Sequence, residues 1–366
     1  MSAKLRRVVK IIVVIAVALF ILSGLIRINF YHLLPLREAS SERSLTLPED
    51  QGAHFDAKTE WWYYTGHLQT EDDKKYGFEL VFFKFYIPFM PFKWLINPVY
   101  TAHFAMVDED TGHFTYATRI DFPRIWEAGA DKDHYRVWNG EWEAESIKGA
   151  HHLRASMKDY AINLSLYPSK EAVFHGDQGI VDMGKGGKSY YYSYTRMKVN
   201  GLLKIKGTVK KVKGTAWMDH QWGSWNWDGF KDWDWFSIQL NNGSELMLFN
   251  FLDSRGVVMK ESGGTIVYPN GDVKHLKSSD FYVYSLNKWV SPHTRKVYPI
   301  NWHITIPDYG IDFQVHPVNL DQEIRDIHMG KIYWEGPAKV KGRFGKQSVS
   351  GVSYVELTGF KREGSK

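Results

Sequence analysis

GTAWMDHQWGSWNWDGFKDWDWF, residues 214–236, is the stretch around which the rest of the chain arranges itself. It holds six tryptophans (Trp217, Trp222, Trp225, Trp227, Trp233, Trp235) and four aspartates (Asp219, Asp228, Asp232, Asp234), with His220 and Gln221 at its centre. Indoles are large and are normally spread through a core, so this density needs a cause. An apolar, indole-lined wall carrying Asp and His raises a carboxyl pKa and keeps water ordered. The alternative is a tryptophan-rich core corner whose Asp–His pair only satisfies buried backbone. Residue types leave both readings open, because structural networks also perturb titratable groups.

Outward from this stretch the text reads as strands. Segments 60–68 (EWWYYTGHL), 76–86 (YGFELVFFKFY) and 100–108 (YTAHFAMVD) are aromatic and β-branched, and 152–157, 161–167, 189–196 and 202–209 continue the pattern. It resumes at 235–240, 245–252, 265–268, 300–306, 311–315, 333–340 and 349–360, punctuated by Asn242-Gly243, Arg255-Gly256 and Asn270-Gly271 as hairpin turns. Many short strands with close turn signals predict an all-β protein of barrels or sandwiches. The reading is two tandem lipocalin-like barrels meeting near residue 210, one over 54–210 and one over 211–366. Barrels of this kind hold one small ligand, and 16% Phe, Trp and Tyr suits an interior that packs flat, apolar molecules.

Lys4, Arg6, Arg7 and Lys10 precede an apolar run over 11–26. This predicts a signal anchor over 1–27 that holds the membrane through residues 8–26, with a polar stalk over 28–53. The positive-inside rule then places the barrels outside the cytoplasmic membrane, periplasmic or extracellular. The chain has no cysteine, which excludes lipoprotein acylation, disulfides and thiolate metal sites. The net charge of +5 is small, and the lysines of 204–213 (KIKGTVKKVK) alternate with apolar residues as on a solvated strand, so no nucleic-acid partner is expected. Segment 87–99 (IPFMPFKWLINPV) is an apolar loop that either reaches lipid or covers a barrel mouth.

Familiar catalytic motifs are missing. GIVDMGKG at 179–186 lacks the Ser or Thr of a phosphate loop and its strand-to-helix setting. There is no G-x-S-x-G elbow and no H-E-x-x-H. His103, His151, His152, His175 and His220 have no ligand-like spacing, so neither metal nor cofactor is expected.

Motifs along the chain resemble the hydroxyneurosporene synthase (carotenoid hydratase) family, in its AttH-like, lipocalin-like branch. They are AKTEWWYYTGHL (57–68), YGFELVFFKF (76–85), FHGDQG (174–179), SYYYSYTRM (189–197), GTAWMDHQWG (214–223) and WDWFSIQLNNGSELMLF (233–249). YPINWHITIP, DQEI, IYWEGPAKVKG and YVELTGF complete the series, which covers about 54–361. The resemblance implies two packed lipocalin-like barrels with a pocket near their junction. It also implies hydratase or cyclase chemistry on a hydrophobic molecule, with His220 and Trp222 of DHQW, and Asp219 beside them, carrying it. The N-terminal apolar run and the 87–99 loop depart from the pigment enzymes.

Hydrating an isolated alkene requires an acid to protonate carbon, a stabilised cation and a positioned water. Asp219, with Asp234 as second candidate, supplies an acid, and Trp217, Trp222 and Trp235 supply indole faces. His220, with Tyr191 or Tyr192, holds the water. Trp62, Tyr64 and Gln221 join them as candidate substrate-binding residues. The expected function is a cofactor-independent hydratase, lyase or isomerase acting on an isoprenoid- or polyketide-like molecule; the alternative is a carrier or sensor of a lipophilic ligand. Asp219 and His220 share one pocket only if the chain leaves regular strand geometry, since neighbours on a strand point to opposite faces. In a regular strand His220 and Trp222 are expected to face the pocket, with Asp219 behind them.

Overall fold

The computed structural model describes residues 13–17, 36–87, 98–121, 127–326, 330–358 and 361–362. Most of the expected anchor, and 88–97 of the apolar loop, lie outside the described residues. Among the described residues no helix is long and apolar enough to cross a membrane.

The protein is all-β, in two curled, antiparallel sheets, of thirteen and eleven strands among the described residues. The first curls until its ends meet: Arg119, near one edge, donates to the Asn139 carbonyl (3.1 Å), and Asn139 donates to the Tyr100 carbonyl (3.3 Å). Its interior is packed with Trp62, Tyr64, Leu80, Phe104, Leu164, Tyr192 and their neighbours. The second sheet encloses Phe236, Tyr298, Trp302, Phe313 and Trp334. Strand Lys296–Ile306 shows the mechanism, burying every second residue from Lys296 to Ile306, the period of a strand with one face inward. All three turn signals hold, with Gly243, Gly256 and Gly271 at positive φ.

Several strands abandon that alternation. Thr59–Thr70 and Lys75–Phe85 are almost wholly buried, as are the last six residues of Asp232–Leu240. They are covered twice, because the outer faces of the two sheets pack against each other. Tyr63, Val81, Tyr191 and Trp217 of the first sheet meet Trp235, Met247, Phe251 and Tyr354 of the second. Polar contacts pin the seam. Glu245, with no exposure, receives Arg196 Nε at 2.5 Å and Lys170 Nζ at 2.6 Å, and Gln239 Nε2 donates to the carbonyls of Thr195 (2.7 Å) and Ala216 (2.9 Å).

Two sequence-based boundaries change. Strand Thr208–Gly223 pairs with both Thr59–Thr70 and Lys188–Ile205, so it lies inside the first sheet and the change of sheet falls at 224–231, not at 210. The 202–209 segment hid a hairpin at Lys206 and Gly207, both at positive φ. Nor is 36–53 a stalk. Tyr190 OH accepts from the Ser40 amide (3.0 Å), Gln51 donates to Tyr194 OH (2.9 Å), and Ala39, Asp50 and Ala53 are buried against the first barrel. Polar composition misled there because hydrogen bonds and ion pairs fasten the strap together with a few scattered apolar residues, Ala39, Leu45, Leu47 and Ala53, that form no periodic face. Because the seam buries indoles and carboxyls together, residues 36–223 and 232–358 expressed separately should aggregate. Soluble halves that each melt cooperatively would contradict this.

Candidate active site

Strand Thr208–Gly223 runs in unbroken register against Thr59–Thr70, so Asp219 and His220 face opposite sides. The sequence candidates therefore divide into two clusters. Trp62, Tyr64, Tyr192, His220 and Trp222 point into the first barrel, whereas Tyr191, Trp217, Asp219, Gln221 and Trp235 point into the seam. Asp234, on the opposite face of its strand from Trp235, belongs to neither.

The first cluster is a closed ionic network. Glu60, at 0% exposure, takes Lys84 Nζ at 2.6 Å, His54 Nδ1 at 2.8 Å and His220 Nε2 at 2.9 Å. His54 Nε2 reaches Asp50 at 3.1 Å, and His220 Nδ1 lies 3.2 Å from Tyr192 OH. Burial alone would raise Glu60, but Lys84, His54 and His220 outweigh it and hold the carboxyl well below its ordinary range. Burial alone would lower His54, yet Glu60 and Asp50 outweigh it and its pKa is raised. His220 is driven down to about 4, chiefly by burial. His54 stacks on Trp222 (3.9 Å between centroids, 4° between planes). The ligand atoms of His54, Glu60 and His220 lie within 4.8 Å of one another, close enough for a metal ion. Lys84 already supplies a cation there, and each donor atom is engaged by a neighbour, so this set reads as a clasp.

The second cluster opens on a cavity of about 420 Å³ between the sheets. Trp61, Phe83, Trp227, Phe230, Trp233 and Trp235 form its apolar walls; Glu79, Asp219, Asp232, Glu335 and Glu356 place five carboxyls on it. Asp219 accepts from Tyr191 OH (2.8 Å), Trp217 Nε1 (2.6 Å) and the Ser193 hydroxyl. Burial outweighs these three donors and pushes Asp219 up to about 7. Trp235 Nε1 donates to Tyr191 OH (3.1 Å), which ties the second barrel to the same carboxyl. Burial likewise raises Glu356 to about 7.

Glu79 and Glu335 lie against each other across the seam. Burial first, and then the charge of Glu356, pushes Glu79 up to about 8, and Glu335 rises well above its ordinary range. Two touching carboxyls form a hydrogen bond only when one keeps its proton. A hydrogen-bonded chain leads from Asp326 to Glu79. His103 Nε2 lies 3.0 Å from Asp326, and its Nδ1 lies 2.6 Å from Tyr333 OH, which lies 3.1 Å from Glu79 Oε1. Burial lowers His103, against the pull of Asp326. Tyr333 OH donates to Glu79 Oε1, a bond that by itself lowers Glu79, so burial and the Glu356 charge carry the rise. Tyr63 OH donates to Glu335.

The expectation that His220 and Trp222 face the pocket is thus reversed in the inter-barrel cavity, where Asp219 stands instead. The sequence reading missed Glu79, Glu335 and Glu356. Each is a lone acid inside an aromatic, apolar strand (FELVFF, YWEGP, YVELTGF). That signal was available, but nothing local says that the outer face of such a strand is also covered.

A model of the AttH-like family matches residues 38–360. An AttH from Nitrosomonas europaea shares the fold over 89% of this chain and 100% of its own, at 28% identity and a TM-score of 0.81. Kievitone hydratase from Nectria haematococca is similar in fold over 89% of this chain and 95% of its own, with 16% identity and a TM-score of 0.70. CghA with Sch210972 covers 88% and 95%, at 12% identity and a TM-score of 0.57. No curated protein sequence matches the chain. With its described strands falling almost entirely within the matched residues, the chain belongs to the AttH-like family.

Proposed function

We propose that this protein is a cofactor-independent hydratase- or isomerase-like lyase acting on a hydrophobic, isoprenoid- or polyketide-like molecule in the inter-barrel cavity. The observation that carries the reading is an aromatic cavity walled by carboxyls that burial keeps protonated near neutrality. Likeness to a hydratase in fold supports it, as does the motif resemblance to carotenoid hydratases. A protonated Glu79 or Asp219 gives its proton to an alkene carbon. The cation that forms lies against Trp61, Trp227, Trp233 and Trp235, each indole face contributing on the order of 0.5–2 kcal/mol when desolvated. Water adds to the cation and returns one proton to the carboxylate, so the acid is regenerated. General acid catalysis of this kind contributes roughly 10²–10⁴-fold. We also propose that the apolar 11–26 segment anchors the barrels at the outer face of the cytoplasmic membrane, where a lipophilic substrate is delivered by the bilayer.

Asp219→Asn and His220→Ala separate chemistry from clasp. Purified without detergent and examined by mass spectrometry, the wild type should carry an apolar molecule. Asp219→Asn should change which molecule is recovered while melting moves only modestly, whereas His220→Ala should lower the melting temperature and leave the bound molecule the same. An unchanged ligand in Asp219→Asn would instead support a carrier.

A further inference from the structure

The cavity contains an amine that the acid mechanism does not use. Lys331 opens the strand Lys331–Phe344, which also carries Glu335, and lines the cavity. Its Nζ lies 4.5 Å from the centre of the Phe85 ring, 5.2 Å from Trp227 and 5.7 Å from Phe83. Among the described residues it is held by these three rings rather than by a direct ion pair. Asp326 and Glu356 attract its charge from a distance, His103 is engaged by Asp326, and Lys231 and Lys296 stand elsewhere on the cavity wall. Burial outweighs the two carboxylates and lowers its pKa.

A cation-binding role for the cavity carboxyls or an anion-binding role for Lys331 fits this surface poorly. The lysine opposes a cationic ligand, to which acids kept protonated by burial offer no counter-charge, and Asp326 opposes an anionic one. A neutral carbonyl meets neither objection. We infer that Lys331 captures the carbonyl group of an apolar aldehyde or ketone as an imine inside the inter-barrel cavity. This rests on the reading of the cavity as a site for hydrophobic molecules and specifies the functional group they carry. The Nζ lone pair attacks the carbonyl carbon, and the proton that the nitrogen loses passes to the former carbonyl oxygen to give a carbinolamine. The Glu356 carboxyl then protonates the hydroxyl, which leaves as water, and the carbon–nitrogen double bond forms. A lysine desolvated against apolar walls is suited to this attack, because its neutral form is the nucleophile. When the carbonyl is conjugated to an alkene, the iminium withdraws electrons from the distal carbon, and that is where water adds.

The test uses the full chain, citral as a branched conjugated aldehyde, and cyanoborohydride to reduce the imine to a stable secondary amine. At less than one equivalent of citral, peptide mapping should find the reduced adduct on Lys331 ahead of the exposed lysines. Excess geraniol, which has the same skeleton without the carbonyl, should suppress it in the wild type. Lys331→Arg, which keeps the charge but cannot form an imine, should lose it. Adducts spread over exposed lysines with Lys331 unmodified would overturn the inference, as would a Lys331 adduct that excess geraniol does not diminish. Trapping needs no turnover. Geraniol bound in the cavity with Lys331 unmodified by citral would therefore sink the imine and leave the acid mechanism standing.

Discussion

Glu60→Gln is expected to lower the unfolding free energy by about 3–5 kcal/mol, the scale for breaking a buried ion network by removing one partner. Glu60 has no solvent exposure, and Lys84 has only 1%. Without the carboxylate, the Lys84 ammonium and the His54 ring are left with carbonyl-type acceptors in place of a charge. The defect should reach the strap of residues 36–54, because His54 joins it to the barrel through Asp50 and Glu60. The pH dependence has two limbs. The Glu60 pKa is depressed, so its contribution is present above the ordinary carboxyl range and is lost as pH falls through the folded value. The His54 pKa is raised, so its contribution is present below the ordinary imidazole value and fades as pH rises through the folded one. Urea melts near neutral pH measure the loss; a change below about 1 kcal/mol would place Glu60 among weak, solvated pairs.

Glu79→Gln should do the opposite. The wild-type carboxyl keeps its proton up to about pH 8, whereas an unfolded glutamate gives it up near its ordinary value of 4.5. Its contribution to stability is therefore full below that ordinary value and is lost as pH rises through about 8. Glutamine does not titrate, so the variant should gain on the wild type steadily across this window and hold its advantage above it. Each unit of raised pKa is worth about 1.4 kcal/mol. With Glu335 sharing the proton, the advantage at high pH should be on the order of 2–4 kcal/mol. The same variant should have lost the proton donor. A stability difference that stays flat with pH would mean that Glu79 is ionised in the folded protein.

The contrast between Glu60 and Glu79 shows where sequence reading ends. Both are single acids in neighbouring aromatic strands, and both are buried. One is held ionised by Lys84, which lies beyond the turn that joins its strand to the next; the other is held neutral by burial and by the charge of Glu356, which comes from the far end of the chain. Strand alternation and turn residues were legible because they are local: Gly243 and Gly271 turn where Asn-Gly predicts. The 214–236 stretch was recognisable as chemically loaded, and Asp219 does reach the cavity. What could not be read was which face each residue takes. Burial on both faces of a strand erases the apolar–polar alternation that would have assigned Asp219 to the seam and His220 to the barrel interior. The strap escaped notice because its charged residues pair among themselves, Asp50 with Arg43 and His54, while Ser40 and Gln51 reach Tyr190 and Tyr194 far along the chain.

Carboxyl-resolved carbon NMR, followed from acid to mildly alkaline pH, tests the protonated seam most directly. The expected result is a small set of side-chain carboxyl signals that remain in the protonated position at pH 6 and titrate between about 7 and 8. Asp219→Asn and Glu79→Gln should each remove one of them. If every carboxyl signal has finished titrating below about pH 5, the ordinary carboxyl range, the cavity holds ionised acids and has no proton to give.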